Sequence, residues 1–382
     1  MATPDFSTKI SEIFTGLSTQ TNNATDRGMG LLSASTNSNS TSSPASVISD
    51  DIFNIIDIII NCFLVHALSL LGIFGNILNG LVLFRHRFKE PSNIILLSLS
   101  VSDFFYSMCV PFRRMRSIIT RFSPAYAITF KTFSEVNLFS FSTACMATSL
   151  THVTAIAVER LTAVCFPFHV SRIFTSRRVK LLVLFLYVYN FSLMIPLFMK
   201  YTYVWMFHPG YNTTVAQVDL TPWAKGSLGE VTYYESYVMT PLVSLVTLLV
   251  ILLCSTVIVI KLTIVRDLKR LSSISSSSNA ASKNAKVVKM LLTVCVVTLL
   301  SCLPTTILDI IEVIANRSMM VTTNSLLLKN SVQVLLYQFN ASANFIVYVT
   351  MSSKFSKTCR KILRCVCCVF KKKEKAIEPL LK

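Results

Sequence analysis

Seven long apolar runs constrain the fold of this chain more than any other feature. A helix needs about 20 mostly apolar residues to cross roughly 30 Å of hydrocarbon. Only helices and closed barrels satisfy their backbone hydrogen bonds in lipid, and the runs lack the period-two alternation of barrel strands. The sequence therefore predicts an all-α membrane protein with a seven-transmembrane helix bundle. The runs lie near residues 55–84, 93–112, 133–158, 181–199, 237–260, 287–313 and 325–350.

The composition agrees with a membrane protein and argues against a nucleic-acid partner. Hydrophobic residues make up 52% of the 382 residues, charged residues only 14%, and the mean hydropathy is +0.59. The hydrophobic fraction exceeds what the core of a soluble protein of this length needs. The net charge of +18 would suggest nucleic acid in a soluble protein. Here the basic residues lie between apolar runs without the aromatic-basic pattern of RNA-binding proteins, so the lipid bilayer is the expected partner.

The distribution of basic residues predicts the orientation. If the N-terminus is outside, 25 Lys and Arg residues lie inside and 11 lie outside, as the positive-inside rule requires. The first apolar run is then expected to act as an uncleaved signal anchor. We divide the chain into a disordered, glycosylated extracellular tail (1–52), a seven-transmembrane domain (53–352), and an amphipathic helix with a basic cytoplasmic tail (353–382).

Two groups of polar residues mark the predicted outside segments. Asn-x-Ser/Thr sequons, which are candidate glycosylation sites, occur there at Asn23, Asn39, Asn212 and Asn316. The loop after the second run breaks the charge rule, because it is crowded with Arg113, Arg114, Arg116, Arg121 and Lys131. Two explanations stay open for this crowding: a solvated loop face, or a contact with an anionic ligand group or partner.

Polar residues in several runs are predicted to meet at one depth of the bundle. Such groups are costly in lipid and are expected to face the bundle interior. An aspartate with hydroxyl and amide oxygens suits a small hard cation, so a structural sodium ion is predicted and no other cofactor. Interhelical hydrogen bonding without an ion is the alternative. The set comprises Asp103, Ser149, Asn340 and Asn344.

Several short motifs resemble, in order and spacing, those of the rhodopsin-like class (class A) of G-protein-coupled receptors. They are Gly75-Asn76, Leu97 to Asp103, Glu159-Arg160-Leu161, Pro167-Phe168, Pro241, Pro304 and Asn344-Phe345-Ile346-Val347-Tyr348, with Phe355 opening a short amphipathic eighth helix. The resemblance covers roughly residues 53–368. It implies a multi-pass plasma-membrane receptor that activates a heterotrimeric G protein. The Asn-Phe-x-x-Tyr form makes the chain most similar to invertebrate neuropeptide receptors.

The resemblance also implies roles at the inner end of the bundle. Glu159 would hold Arg160 in the resting state, and activation would free the arginine. Outward movement of the sixth helix, which Pro304 kinks, would open a cleft lined by Arg160 and Tyr348. Phe168 would be the apolar knob that enters the G protein.

The chain departs from the family pattern at several positions. Cys302 replaces the usual aromatic residue of the sixth helix, and Phe345 replaces the usual proline of the seventh. Glu135 stands at the top of the third helix where a disulfide cysteine is usual, and the second outside loop has no cysteine, so a looser loop is expected. Asn284 replaces an acidic residue that restrains Arg160, so noticeable basal activity is expected.

The predicted ligand pocket narrows the class of ligand. Ser142 stands where amine receptors carry aspartate and Gln338 where opsins carry the retinal lysine, so monoamines and light sensing are disfavoured. Acidic residues near the outer helix ends predict attraction of a cationic ligand such as an Arg-containing or amidated peptide, with ordinary interfacial solvation as the alternative. A chemosensory receptor for small environmental molecules is the second hypothesis. The predicted pocket comprises Glu135, Ser142, Glu235, Cys302, Asp309, Glu312 and Gln338.

Two cytoplasmic segments are candidates for modification. The serine-rich stretch 272–278 suits phosphorylation by receptor kinases followed by arrestin binding, with a flexible linker as the alternative. Cys365, Cys367 and Cys368 follow a basic amphipathic segment and are candidate palmitoylation sites. No Ser-His-Asp set, P-loop or zinc-ligand pattern stands out in the sequence, so the chain is not expected to be an enzyme.

Overall fold

The fold was analysed in a computed structural model that describes residues 50–85, 91–271, 279–317 and 323–377. The long helices are numbered α1 to α8 in chain order. Their bounds are residues 50–85 (α1), Pro91–Arg114 (α2), Pro124–Cys165 (α3), Ser176–Leu193 (α4), residues 228–271 (α5), Asn279–Arg317 (α6), Thr323–Met351 (α7) and Ser353–Ile377 (α8). π-helical turns occur within α1 at Ile58–Leu64 and within α5 at Tyr234–Met239 and Pro241–Leu245. Short helices lie between them at Arg116–Ile119, Pro167–Ile173, Ile195–Lys200 and Pro222–Gly226.

Within the described ranges, six helical segments are long and apolar enough to cross a membrane. They are Asp51–Arg85, Pro91–Ile119, Pro124–Cys165, Ser176–Lys200, Leu228–Val265 and Lys286–Ile311. The segment α7 is also a long helix and packs against α1, α2 and α6. It is not among the six because polar residues such as Gln333, Gln338 and Asn340 lower its hydropathy. The chain is thus a mostly helical protein with six candidate membrane spans among its described residues.

The start of α3 lies earlier than the apolar run predicted. Ser123 caps the helix by accepting a hydrogen bond from the Tyr126 backbone N–H at 3.4 Å, and Pro124 occupies the first turn. Both residues are favoured at helix starts. Lys131 therefore lies in the helix and not in a loop, and Glu135 lies about three turns inside α3 and not at its top. The predicted loop placement of Lys131 is wrong because the Ser123 cap starts α3 at Pro124, before the apolar run predicted from residue 133.

The helix α3 occupies the centre of the bundle, where it contacts α2, α4, α5 and α6. Apolar side chains gain little by leaving lipid, so membrane helices associate through close packing and interhelical hydrogen bonds. The amide of Asn76 in α1 donates to the Ala341 carbonyl oxygen in α7 at 2.9 Å. The amide of Asn190 in α4 donates to the Thr151 hydroxyl in α3 at 2.9 Å. These bonds fix the outer helices to the central ones.

The segment between α4 and α5 folds as a β-hairpin at one end of the bundle. Strand β1 (Tyr201–His208) pairs antiparallel with β2 (Thr213–Leu220), and Asn212 takes the positive φ of 48° that the turn needs. The Thr132 hydroxyl donates to the Ala216 carbonyl oxygen at 2.8 Å, and the Ala216 N–H donates to the Thr129 hydroxyl at 3.2 Å. The expected looser loop is therefore an ordered hairpin, because two hydrogen bonds to α3 hold it in place of a disulfide. We call this end of the bundle the hairpin end.

The helix α8 follows α7 at the opposite end, which we call the Arg160 end. Its buried residues Phe355, Cys359 and Ile362 recur at helical spacing and pack into the largest apolar cluster of the bundle. The ring of Tyr348 in α7 lies 5.7 Å from that of Phe355, between centroids. The basic residues Lys354, Lys357, Arg360, Lys361 and Arg364 are exposed on the other face. The helix Ser353–Ile377 therefore packs against the bundle through Phe355, Cys359 and Ile362.

Candidate functional site

Arg160 is held at its end of the bundle by Glu159 and by a serine of α2. The Arg160 Nε donates to Glu159 Oε2 at 3.1 Å, and its Nη2 donates to Glu159 Oε1. The Ser92 hydroxyl donates to Glu159 Oε1 at 2.7 Å and accepts from Arg160 Nη2. The Glu159 side chain is only 4% exposed and that of Arg160 14%. Charge-assisted hydrogen bonds of this kind are strong, so they restrain the guanidinium. We call Ser92, Glu159 and Arg160 the arginine clamp.

The other residues implied at this end differ in exposure. Phe168 is the second residue of the short helix after α3 and is 92% exposed, so it is accessible to a partner. Leu161 is half-buried beside the largest apolar cluster. Tyr348 is buried, and its hydroxyl has no hydrogen-bond partner among the described residues. Pro304 lies inside α6, far from the arginine clamp along the helix. The structure therefore does not gather these residues into one cleft in this conformation.

Three of the four residues predicted to form the polar layer meet at Asp103. The Ser149 hydroxyl donates to Asp103 Oδ1 at 2.6 Å, and the Asn344 amide donates to Asp103 Oδ2 at 2.8 Å. The Asn340 Oδ1 instead accepts from the Thr298 hydroxyl of α6 at 2.9 Å. The structure thus brings Asp103, Ser149 and Asn344 together, and it directs Asn340 to α6.

The environment of Asp103 fits a cation. Its side chain is fully buried, and it forms no ion pair with a basic residue in the described part of the chain. A buried, unpaired carboxylate is costly unless a cation or a proton neutralises it. Together the Asp103 carboxylate and the Ser149 hydroxyl supply the oxygen ligands that sodium prefers.

The acidic residues predicted to attract a cationic ligand are already paired at the hairpin end. Each lies within 2.9 Å of a basic side chain: Glu135 with Arg113, Glu235 with Lys200, and Asp309 with Lys329. Their negative charges are therefore balanced within the bundle. The expected acidic rim is not formed by these three residues, because folding pairs each with a base from another helix.

Three of the remaining predicted pocket residues, Ser142, Gln338 and Cys302, are buried and contact different partners. Ser142 is fully buried and accepts a hydrogen bond from Arg113 Nη1 at 3.0 Å. Gln338 donates from Nε2 to the Ser107 hydroxyl at 2.9 Å. Cys302 is buried in an apolar cluster. The side chain of Glu312 lies outside the described part.

The predicted modification sites are only partly described. Asn212 is exposed at the tip of the hairpin, and Cys365 is exposed on α8. Asn316 lies in the last turn of α6, and Cys367 and Cys368 lie in α8, but their side chains are outside the described part. Asn23, Asn39 and the serine-rich stretch 272–278 also lie outside the described residues.

Sequence reasoning missed several residues that the structure connects to the predicted sites. Ser92 and Thr298 are ordinary helix serine and threonine residues, and nothing in their local sequence indicates a partner. For Arg113 the sequence did carry a signal, since the excess of basic residues around it contradicted the positive-inside rule. That signal pointed to the region, although it identified neither Glu135 nor Ser142 as the partner.

Comparison with known proteins identifies the family to which this chain belongs. Residues 75–348 match the model of the 7 transmembrane receptor (rhodopsin family). The chain is 32% identical over 136 residues to the growth hormone secretagogue receptor type 1 of Rattus norvegicus, which is 35% of each chain. It is 27% identical over 131 residues to the galanin-like G-protein coupled receptor npr-9 of Caenorhabditis elegans, which is 34% of this chain and 29% of that receptor. It is 30% identical over 121 residues to the motilin receptor of Homo sapiens, which is 31% of this chain and 27% of that receptor. The matches span about a third of the length of these curated relatives. Because the family model covers most of the chain, this protein belongs to the rhodopsin family of seven-transmembrane receptors.

Proposed function

We propose that this protein is a plasma-membrane receptor that converts the binding of an extracellular ligand into nucleotide exchange on a heterotrimeric G protein. The N-terminus and the hairpin end face outside, and the Arg160 end faces the cytoplasm. The helix α7 is the seventh span, and α8 lies along the inner leaflet with its basic residues toward the anionic surface. The observation that carries the proposal is the arginine clamp, which restrains the half-buried Arg160 at the inner end of a receptor-family bundle.

The proposed mechanism is a population shift between a clamped and an open bundle. Ligand bound at the hairpin end favours the state in which α6 moves outward about Pro304, since a proline leaves a gap in the helix hydrogen bonds. Arg160 then leaves Glu159 and faces the opened cleft. Exposed Phe168 contacts the G protein beside this cleft.

A peptide is the proposed class of ligand. The relatives are named as receptors of growth hormone secretagogue and motilin and as a galanin-like receptor, and their similarity to this chain supports the proposal. Small environmental molecules are the competing class. A screen that measures nucleotide exchange should include both a neuropeptide library and a panel of small metabolites. Responses only to the metabolites would contradict the peptide proposal.

Replacement of Arg160 by alanine tests the receptor function directly. We expect Arg160→Ala to abolish ligand-stimulated nucleotide exchange, since it removes the cation that the proposed mechanism presents to the G protein. Surface expression and ligand binding should remain. The matched control is Lys180→Ala, which removes an exposed cation of α4 near the same end. Exchange that persists in Arg160→Ala at normal expression would contradict the proposed mechanism.

We also propose that Asp103 binds sodium together with Ser149, and that the ion stabilises the clamped state. Sodium chloride should raise the Tm of the purified receptor relative to potassium chloride, because a bound ligand stabilises the folded state. Asp103→Asn should remove this difference. Asn340→Ala should retain it, because Asn340 bonds to Thr298 and not to Asp103. Equal Tm values of the unaltered receptor in the two salts would count against the site.

Modification on the cytoplasmic side is proposed as regulation. Receptor kinases are expected to phosphorylate the stretch 272–278 and so recruit arrestin, since phosphate beside basic residues makes charge-assisted contacts. Exposed Cys365 is a proposed palmitoylation site, with Cys367 and Cys368 nearby in sequence. Asn212 is a proposed glycosylation site on the exposed hairpin turn.

A further inference from the structure

A group of basic side chains crowds the hairpin end between α2, α3 and the short helix that joins them. Arg113 and Arg114 end α2, Arg116 begins the short helix, and Lys131 lies in α3. Arg113 is buried, and the other three are half-buried. Arg121, in the same connection, is exposed. The four inner cations therefore differ from a solvated loop face, which was one explanation for their crowding.

These cations outnumber the acids that face them. Lys131 is close enough to Arg114 and Arg116 to interact with both charges, and Arg114 also interacts with Arg113. The acids that interact with the group are Glu135 and Asp57. Two acids thus face four cations, and half-buried like charges repel one another more strongly than charges in water.

Neither acid forms an ion pair with Arg114, Arg116 or Lys131 in the described part of the chain. Glu135 forms the 2.9 Å ion pair with Arg113. The two oxygens of Asp57 accept hydrogen bonds from the Asn61 amide at 2.7 Å and from the Ser117 hydroxyl at 3.0 Å. Across the described residues, none of Arg114, Arg116 and Lys131 forms an ion pair. A surplus of positive charge therefore remains at this end of the bundle.

Two guanidinium groups also keep unused donors. The Nε atoms of Arg113 and Arg114 are buried, and neither has a hydrogen-bond partner in the described part of the chain. Arg114 does bond through Nη2 to Asn330 of α7, at 3.1 Å from its Oδ1. Arginine side chains present paired N–H groups that match the oxygens of a carboxylate, sulfate or phosphate. Buried donors without partners are expensive, so an oxyanion that accepts from them would be favoured.

We propose that Arg114, Arg116 and Lys131 bind an oxyanion group of the extracellular ligand, such as a carboxylate or sulfate carried by an acidic peptide. This inference rests on the proposed receptor function. It adopts the anionic ligand contact, one of the two explanations left open for this crowding, over the cationic ligand that the acidic residues had suggested. The site joins α2, α3 and, through Asn330, α7. The surplus positive charge also speeds the approach of an acidic ligand.

The test measures the Tm of the full-length receptor in nanodiscs of phosphatidylcholine, which carries no net charge. The probes are an N-acetylated, C-amidated tri-aspartate peptide and inorganic sulfate. Their controls are the tri-asparagine peptide and chloride at the same ionic strength. The variants are Lys131→Gln and Arg116→Gln, and the matched control is Arg121→Gln, which removes an exposed cation from the same connection.

The tri-aspartate peptide at about a hundredfold excess over its dissociation constant should raise the Tm of the unaltered receptor and of Arg121→Gln by about 5 °C. Lys131→Gln and Arg116→Gln should lose most of this shift, and without anions their Tm should be higher than that of the unaltered receptor, because repulsion is relieved. Stabilisation by sulfate equal to that by the peptide would support a site for a free oxyanion, and a larger effect of the peptide would support an acidic peptide ligand. Equal effects of tri-aspartate and tri-asparagine, or a full shift in both variants, would overturn the site.

Nucleotide exchange separates this inference from the proposed function. A ligand with an acidic group that activates Lys131→Gln at undiminished potency would contradict the oxyanion site and support the receptor function. Stabilisation by tri-aspartate in a chain that activates no G protein with any ligand would support the site and contradict the receptor function.

Discussion

Replacing Glu159 with glutamine is expected to raise the basal rate of nucleotide exchange about tenfold. The substitution keeps the size of the side chain and removes the charge that holds Arg160 through two donors. Hydrogen bonds to charged groups contribute about 1.5–3 kcal/mol each. A loss of about 1.4 kcal/mol from the clamped state alone multiplies the open population by ten.

Basal exchange in membranes, normalised to surface receptor, measures this effect. Ser92→Ala should change it in the same direction and by less, since it removes one bond to Glu159 and one to Arg160. The double variant of Glu159→Gln and Arg160→Ala should be silent, because no arginine remains to contact the G protein. Unchanged basal exchange in Glu159→Gln would show that the clamp does not restrain the receptor.

Replacing Gly75 with alanine is expected to reduce the amount of folded receptor severalfold, and Gly75→Leu should abolish it. A Cβ atom at Gly75 would lie 2.7 Å from Phe345 Cβ and 2.9 Å from its Cγ. The Cβ of Phe345 is joined to its backbone, so α1 and α7 would have to move apart. Overpacking of this kind costs about 1–3 kcal/mol, and separation of the helices would also weaken the bond from Asn76 to the Ala341 carbonyl.

Gly80 supplies the matched control on the same helix. A Cβ atom there would lie 3.7 Å from Leu97 Cδ1, which is an ordinary contact. Alanine favours a helix interior over glycine by about 1 kcal/mol, so Gly80→Ala should leave folding unchanged or improve it. Surface expression and the Tm of the purified receptor measure both variants. Equal Tm values for Gly75→Ala and Gly80→Ala would contradict the close packing of α1 against α7.

Only part of the arginine clamp could be predicted from the sequence. The family resemblance placed Glu159 beside Arg160 and implied that they pair, and the structure contains that pair. It implied nothing about Ser92, which lies in the first turn of α2, 67 residues before Glu159 in the chain. Adjacent residues can be paired from sequence because they share a backbone, whereas a serine on another helix reaches the clamp only through tertiary packing.

In the polar layer too, the sequence predicted the depth of the residues but not their hydrogen-bond partners. Helix rise alone put Asp103, Ser149, Asn340 and Asn344 at a common depth. Depth does not specify the direction in which a side chain points around the helix axis. The rotation of α7 against α6 directs Asn340 to Thr298 and leaves Asn344 to Asp103.

By itself, the sequence determined that this chain is a helical membrane protein, and its ordered motifs identified the receptor family. Both conclusions depend on local properties, namely the length and hydropathy of each run and the spacing within each motif. Only the tertiary structure decided which charges remain unbalanced. Counting Glu135, Glu235 and Asp309 suggested an acidic rim, yet each is neutralised by a base from elsewhere in the fold. Within the described residues, Arg114, Arg116 and Lys131 have no acidic ion-pair partner. The reason is that an ion pair forms across a few ångströms of space between distant parts of the chain, and the packing of the helices alone sets that distance.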